Sequence, residues 1–445
     1  MQTPLLTEAD PATSAEGPGD PIGLYAIADA LAVRLVPGVR ERQQHPRFLT
    51  VMAVSQAVCS EFGEDVIAKD GVSEPWQVFE WYVVEGLVRT LGETDEVRGL
   101  LGRDKAARAL RDKVPLSAAR YLKAPAIYGF HGAYRLLAET LRVEQDGRLA
   151  EFGHQLLTTW MDEQGLAGFH GTADGPGREI RRQLVAAVSE GLESGCTKRS
   201  GGWSGWSFFS EHLVPRRAGR REARTIAAAL TGVEAPTRAE LIQFLVSDSG
   251  QSLWRKLVDQ NEDQRIPDER PFHAALRKAA SPALGELLDA IDAYESFARL
   301  VQDAFDGCLH LMSLNKGCRT PLSELARAAG VERACREAPH LFHKAKDLLL
   351  TQEGFSARFQ QAFVDMAEPL SAETWVGRLL ERHRQVQRAK PPNGKNPWFE
   401  RFDDGSVVIR PGYLRENGGR GGHSYVHTYR TQSLWSFAND LRMVS

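Results

Sequence analysis

Residues 281–314 read SPALGELLDAIDAYESFARLVQDAFDGCLHLMSL, the longest periodic run in the chain. Acidic residues alternate with an apolar stripe along it, the pattern of a long helix with one solvated face. Reading outward from this run, the same period recurs. GLYAIADALAVRLVPGV (residues 23–39) puts Leu24, Ile27, Leu31 and Leu35 on one stripe and stops at Pro37-Gly38. PRFLTVMAVSQAVCSEF (46–62) and EPWQVFEWYVVEGLVRTL (74–91) are apolar over a wide face, which predicts two well-buried helices. SAETWVGRLLERHRQVQRAK (371–390) is the last long helical pattern, and Pro391-Pro392 ends it.

Strand signal is thin. LRVEQDGRLAEF (141–152) carries a hairpin turn at Asp146-Gly147. GSVVIRPGYL (405–414) and SYVHTYR (424–430) are rich in β-branched and aromatic residues, with the glycine-rich ENGGRGGH (416–423) between them. The expected fold is mainly α and multi-domain, with one winged-helix-like element and a small C-terminal β-hairpin. Composition shifts and Pro or Gly breaks divide it into a disordered tail (1–22), a helical domain (23–120), a winged-helix-like domain with an Arg/Trp loop (121–235), a second helical domain (236–390), and a C-terminal hairpin and helix (391–445).

The chain has 445 residues, 42% hydrophobic and 25% charged, the balance of a soluble globular protein with a sizeable core. A net charge of −3 gives no bulk field for nucleic acid or membrane, so any such affinity is local. No apolar run approaches the ~20 residues of a spanning helix. The N-terminus lacks a basic start followed by an apolar stretch and is no secretory signal. Cys59, Cys196, Cys308, Cys318 and Cys335 are scattered and form no CxxC pair. That spacing argues for a reducing cytoplasm and against a disulfide framework or zinc ribbon.

Four stretches invite a functional reading. Residues 128–166 follow the order helix, tight turn, helix and resemble a winged helix, a fold that binds DNA in many proteins and joins protein to protein in others. Arg142 and Arg148 are the only basic residues on the wing, few for direct readout. TPLSELARAAGVERACREAP (320–339) looks like the first helix and turn of a helix-turn-helix, with a second helix expected from Glu332 that ends before Pro339. A helical hairpin in the core is the competing reading.

The third stretch, CTKRSGGWSGWSFFSEHLVPRRAGRREAR (196–224), is the best phosphate-binding candidate. Arg217, Arg220, Arg221 and Arg224 share one face if the segment after Pro215 is helical, and Lys198 and Arg199 add charge. Trp203 and Trp206 could stack on bases of a single strand. The competing reading anchors Trp206 and Phe209 in the core and leaves the arginines salt-bridged or solvated. The fourth is the segment 378–430, where basic residues outnumber acidic ones roughly two to one. Lys395, Arg410, Arg420 and Arg430 would face a polyanion, with Tyr425, His427 and Tyr429 on one side of a strand.

Catalytic signals are weak. His340 and His343 are three apart and His423 and His427 four apart, but there is no HExxH, no GxxxxGK[ST] and no GxSxG. The string GFHG occurs at 129–132 and again at 168–171, short enough to recur by chance. No metal or other cofactor is implied.

One string, LAVRLVPGVRERQQHPRFLTVMAV (31–54), marked by Leu35, Pro37, Gly38, Arg42, Arg47 and Phe48, resembles the start of uncharacterised bacterial proteins encoded beside helicases and nucleases in phage-defence loci. YVHTYRTQSLWSFANDL (425–441) extends the likeness loosely over most of the chain. The resemblance implies an accessory subunit of a DNA-targeting defence system. The expectation is a non-enzymatic nucleic-acid-binding or adaptor subunit, partnered by DNA, single-stranded DNA included, by a helicase or nuclease subunit, or by both. The alternatives are a protein–protein scaffold without nucleic-acid contact and a metal-dependent nuclease with a site assembled from distant residues.

Overall fold

The computed structural model describes residues 19–92, 94–260, 267–315, 317–352, 354–391, 393–419 and 421–444. The protein is mainly α, 60% helical, with nineteen α-helices and two small antiparallel two-stranded sheets among the described residues. Packing divides the chain into two compact units: residues 1–35 with 260–429, and residues 36–259 with 430–445.

The first unit holds α1 (Tyr25–Leu35) and the later helices α13 (Arg270–Arg277), α14 (Pro282–Leu314), α15 (Leu322–Leu325), α16 (Val331–Leu349), α17 (Phe355–Phe363) and α18 (Ala372–Arg388). Its spine is α14, 33 residues long and so about 50 Å from end to end. Ser281 starts it by accepting a hydrogen bond from the Leu284 amide, and Pro282 occupies its first turn. Helices α1, α13, α16 and α18 pack against it. Asp20 caps α1, its two carboxylate oxygens accepting the amides of Gly23, Leu24 and Tyr25 at 2.8–2.9 Å.

Helix α16 runs through Pro339 instead of stopping before it. The second helix of the expected helix-turn-helix is therefore nineteen residues long and packs along α14. Burial of Val331, Ala334, Ala338, Phe342, Ala345 and Leu349 on one stripe outweighs the lost proline hydrogen bond. Gly330, at φ +83°, makes the turn as expected.

The C-terminal hairpin is also placed differently. Strand β3 (Phe399–Arg401) pairs with β4 (Val407–Ile409) around the turn at Asp403–Gly405. Residues 424–429 form no strand. They belong to a strap that runs antiparallel along α14. The Arg415 amide donates to Ser313, and a Cβ on Gly418 would touch the His310 side chain at 3.3 Å. Gly419, at φ +74°, lies against Asp303. Arg299 donates to the carbonyls of Ser424 and Tyr425, and Glu295 receives the amides of Val426 and His427. The glycine-rich segment serves close approach to a helix, not a strand-to-strand turn.

The second unit holds α2 (Phe48–Cys59), α3 (Pro75–Leu91), α4 (Arg103–Arg111), α5 (Pro125–Tyr128), α6 (Phe130–Thr140), α7 (Glu151–Gln164), α8 (Pro176–Ser194), α9 (Gly205–His212), α10 (Arg220–Leu230), α11 (Pro236–Val246), α12 (Asp248–Asp259) and α19 (Thr431–Asp440). Helices α2 and α3 form its core. Every residue of α2 from Phe48 to Ser55 is buried, as is every residue of α3 from Val78 to Val88. Strands β1 (Glu144–Gln145) and β2 (Arg148–Leu149) make a two-residue hairpin between α6 and α7, turning at Asp146-Gly147. Among the described residues no helix is long and apolar enough to cross a membrane.

Candidate functional site

Trp203, just before α9, and Trp206, in its first turn, plug into α3. Trp206 is 4% exposed, and its indole nitrogen donates to the Ser200 carbonyl at 2.8 Å. Its ring lies 5.7 Å from that of Tyr82, with the Arg89 guanidinium 4.8 Å from its centroid. Trp203 is half-buried and meets Trp206 edge-on at 5.0 Å. Two glycines make room. A Cβ on Gly205 would fall 2.1 Å from the Trp203 ring, and one on Gly86 would fall 2.4 Å from Phe209. Trp206 therefore presents no face to an external base.

The arginines do not form one helical row, because α10 begins at Arg220 and Arg216 and Arg217 lie in the turn before it. Glu222 sets that start by folding back to accept the Gly219 amide. Most of the guanidinium groups have partners in this chain. Arg199 meets Glu190 at 2.9 Å, Arg216 meets Asp440 at 3.6 Å, Arg217 pairs with Glu96, and Arg221 meets Asp162 at 3.7 Å. Arg220 and Arg224 are exposed, four residues apart on α10, and carry no side-chain partner among the described residues. Lys198 is exposed as well.

The C-terminal candidates separate. Arg410 lies 3.6 Å from Glu400, and the Lys395 amide donates to Gln387. Arg420 lies outside the described residues. Arg430 is 2% exposed and donates to the Val39 carbonyl at 2.7 Å, within the second unit. Tyr425 and Tyr429 are buried against α14. His427 Nδ1 lies 2.7 Å from the Glu295 carboxylate, which also accepts the Tyr429 hydroxyl. Burial pushes the Glu295 carboxyl up, but the His427 charge and these hydrogen bonds outweigh it and hold the group below its ordinary range. The aromatic face expected to meet nucleic acid is thus internal packing.

The resemblance marks lie in the same kind of surroundings. Arg47 is held by Glu222 and the Val214 carbonyl. The Pro37 carbonyl accepts from Arg238 at 2.6 Å. Arg238 is fully buried with carbonyl partners, and burial brings its guanidinium down to about 10.

One feature of the second unit had no clear announcement in the sequence. A cavity of about 790 Å³ opens between the hairpin, the end of α2, the start of α3 and α6, lined by Cys59, Trp76, His131, Glu144, His154 and His170 among others. Both GFHG strings contribute their histidine to it, His131 from the first and His170 from the second. The repeated string was the one available signal. The glycines of the first are structurally required, since a Cβ on Gly129 would meet Glu80 at 2.1 Å and one on Gly132 would meet Ala126 at 2.2 Å.

Behind the cavity wall, Glu80 lies 3.1 Å from His131 Nδ1, and His131 Nε2 lies 3.0 Å from the Ser55 hydroxyl. The chain of carboxylate, imidazole and hydroxyl has the order of a nucleophilic triad. Ser55 is fully buried in the body of α2, however, so no substrate carbonyl reaches it. The chain instead fixes the imidazole at the cavity wall, with the Tyr121 hydroxyl donating to Glu80 at 2.8 Å. Burial pushes the Cys59 thiol up to about 12. Across the cavity His170 Nε2 lies 3.2 Å from His154 Nδ1, and burial together with His154 lowers the His170 pKa. Among the described residues no group of three or more side chains is placed to hold a metal ion.

Compared with protein-family models, curated proteins and solved structures, the chain matches none.

Proposed function

We propose that the chain is a non-enzymatic adaptor subunit of a bacterial antiphage or other DNA-processing complex, and that it docks a partner protein at the cavity beside the 144–149 hairpin. The observation that carries this reading is the company the cavity keeps. Ala126, Glu64 and Glu74 line it, and Ile127, Tyr128, Ile67 and Val72, close by in sequence, are 61%, 43%, 55% and 66% exposed. Large exposed apolar side chains on the same segments that line a concave, partly aromatic surface are the mark of a protein-binding site. The resemblance of residues 31–54 to defence-locus proteins makes a helicase or nuclease the partner. On this reading residues 130–164 are a winged-helix-like element used for protein contact, its short wing forming one cavity wall. The test is co-purification of the full chain with a helicase or nuclease from its own cells after nuclease treatment. A stable complex is expected, and a chain that elutes alone contradicts the reading.

A second reading, direct contact with a polynucleotide, is favoured by Arg220 and Arg224, exposed on one face of α10. Two phosphate contacts would give a shallow salt dependence, with a slope of roughly −1.8 on double-stranded DNA.

A further inference from the structure

Glu144, on the wall of the hairpin cavity, is 7% exposed. Its carboxylate accepts one side-chain hydrogen bond, from the Gln56 amide at 2.9 Å, and forms no ion pair among the described residues. A carboxylate so far removed from water calls for a cation or several donors. Of the two arginines in the same lining, Arg135 bonds Glu139 at 2.9 Å and feels the Glu144 charge without bonding to it, and Arg148 bonds Glu64 at 2.8 Å. Phe62, Trp76, His131, His154 and His170 contribute flat rings to the wall. Trp76 lies 5.1 Å from His131, and the His154 and His170 rings are 5.2 Å apart. His170 Nδ1 is buried without a hydrogen-bond partner.

We propose that this cavity receives the guanidinium of an arginine on an exposed segment of the partner protein. The proposal rests on the adaptor reading and names the chemistry of the partner's anchor. A guanidinium is planar, stacks on indole and imidazole faces, and offers a fork of donors that matches a carboxylate. An ammonium supplies the charge without the stacking. A phosphate is disfavoured, because it would enter between Glu64, Glu74, Glu144 and Asp146. The volume is that of a site which takes a side chain together with its flanking residues.

The test titrates the full chain with the capped tripeptide acetyl-Gly-Arg-Gly-amide and with its lysine, citrulline and glutamate counterparts, followed by calorimetry. Citrulline keeps the shape of arginine and removes the charge. The arginine peptide is expected to saturate, the lysine peptide to bind more weakly, the citrulline peptide to lose about tenfold or more, and the glutamate peptide not to bind. Glu144→Gln and Trp76→Ala are expected to weaken the arginine peptide by about tenfold. Equal binding of arginine and citrulline peptides on the unmodified chain overturns the proposal even where a variant fails to fold. So does the absence of saturable binding. A partner protein that co-purifies at full ratio with a folded Glu144→Gln chain overturns the arginine anchor and leaves the adaptor reading standing.

Discussion

Arg47 and Glu222, 175 residues apart, meet in a two-pronged pair sealed from solvent: Nε to Oε1 at 2.9 Å and Nη2 to Oε2 at 3.1 Å. Thr50 and the Gly219 amide fill further acceptor positions on the same carboxylate, and Arg47 Nη1 donates to the Val214 carbonyl. The pair ties the buried helix α2 to the start of α10, the segment that carries the arginine cluster. Removing one partner leaves the other charge buried and alone. Arg47→Ala or Glu222→Ala is expected to lower unfolding free energy by about 3–5 kcal/mol. The apolar double variant Arg47→Met with Glu222→Leu should cost less than either single change. Urea unfolding followed by circular dichroism measures all three.

The tryptophan loop depends on two missing side chains. Gly205→Ala and Gly86→Ala drive a methyl group into Trp203 and Phe209 respectively. Each is expected to destabilise by about 1–3 kcal/mol. Gly205→Ala should also alter the tryptophan fluorescence of the folded state, whereas Gly201→Ala, with only the end of Arg89 near its Cβ, should leave both properties unchanged.

His383 gives the first unit an acid sensitivity. Its Nδ1 donates to the Pro21 carbonyl at 2.8 Å, and its Nε2 accepts the Trp398 amide at 3.0 Å, so the ring is neutral. Burial brings its pKa down from 6.5 to about 3. The unfolded chain therefore binds the proton more readily than the folded one between those values. This contribution to stability is complete above pH 6.5 and is lost as pH falls toward 3. His383→Gln should flatten that part of the stability profile, as measured by unfolding at a series of pH values.

Along the strap, Gly419 combines a positive φ with a Cβ position 3.2 Å from the Asp303 carbonyl. Gly419→Ala is expected to cost about 1–2 kcal/mol and to expose residues 413–424 to limited proteolysis. Gly405→Ala shares the backbone strain but has open space, and should leave the strap protected.

The long helices were legible because a 3.6-residue stripe is a local property. The pattern of residues 281–314 became α14, and those of 25–35, 48–59, 75–91 and 372–388 became helices within the stretches read for them. Helix α16 passed through Pro339 because its stripe packs on α14, a gain invisible to a rule about single residues. SYVHTYR alternates like a strand, but Glu295 and Arg299, both buried on α14, bind its backbone and hold it as a strap. The arginine cluster looked free because its acidic partners, Glu96, Asp162 and Asp440, lie far away in sequence. The cavity was hidden for the same reason, since His131 and His170 converge only when α6 and the loop after α7 are folded.

The proposed docking site is the hairpin cavity and not the arginine cluster. The direct measurement is the amount of the proposed helicase or nuclease partner retained, after nuclease treatment, by the unmodified chain, by Trp76→Ala and by Arg220→Ala with Arg224→Ala. Trp76→Ala is expected to lose about fivefold or more of the partner, while the double arginine variant retains it. Full retention by a folded Trp76→Ala chain, with loss on removing the two arginines, would contradict it.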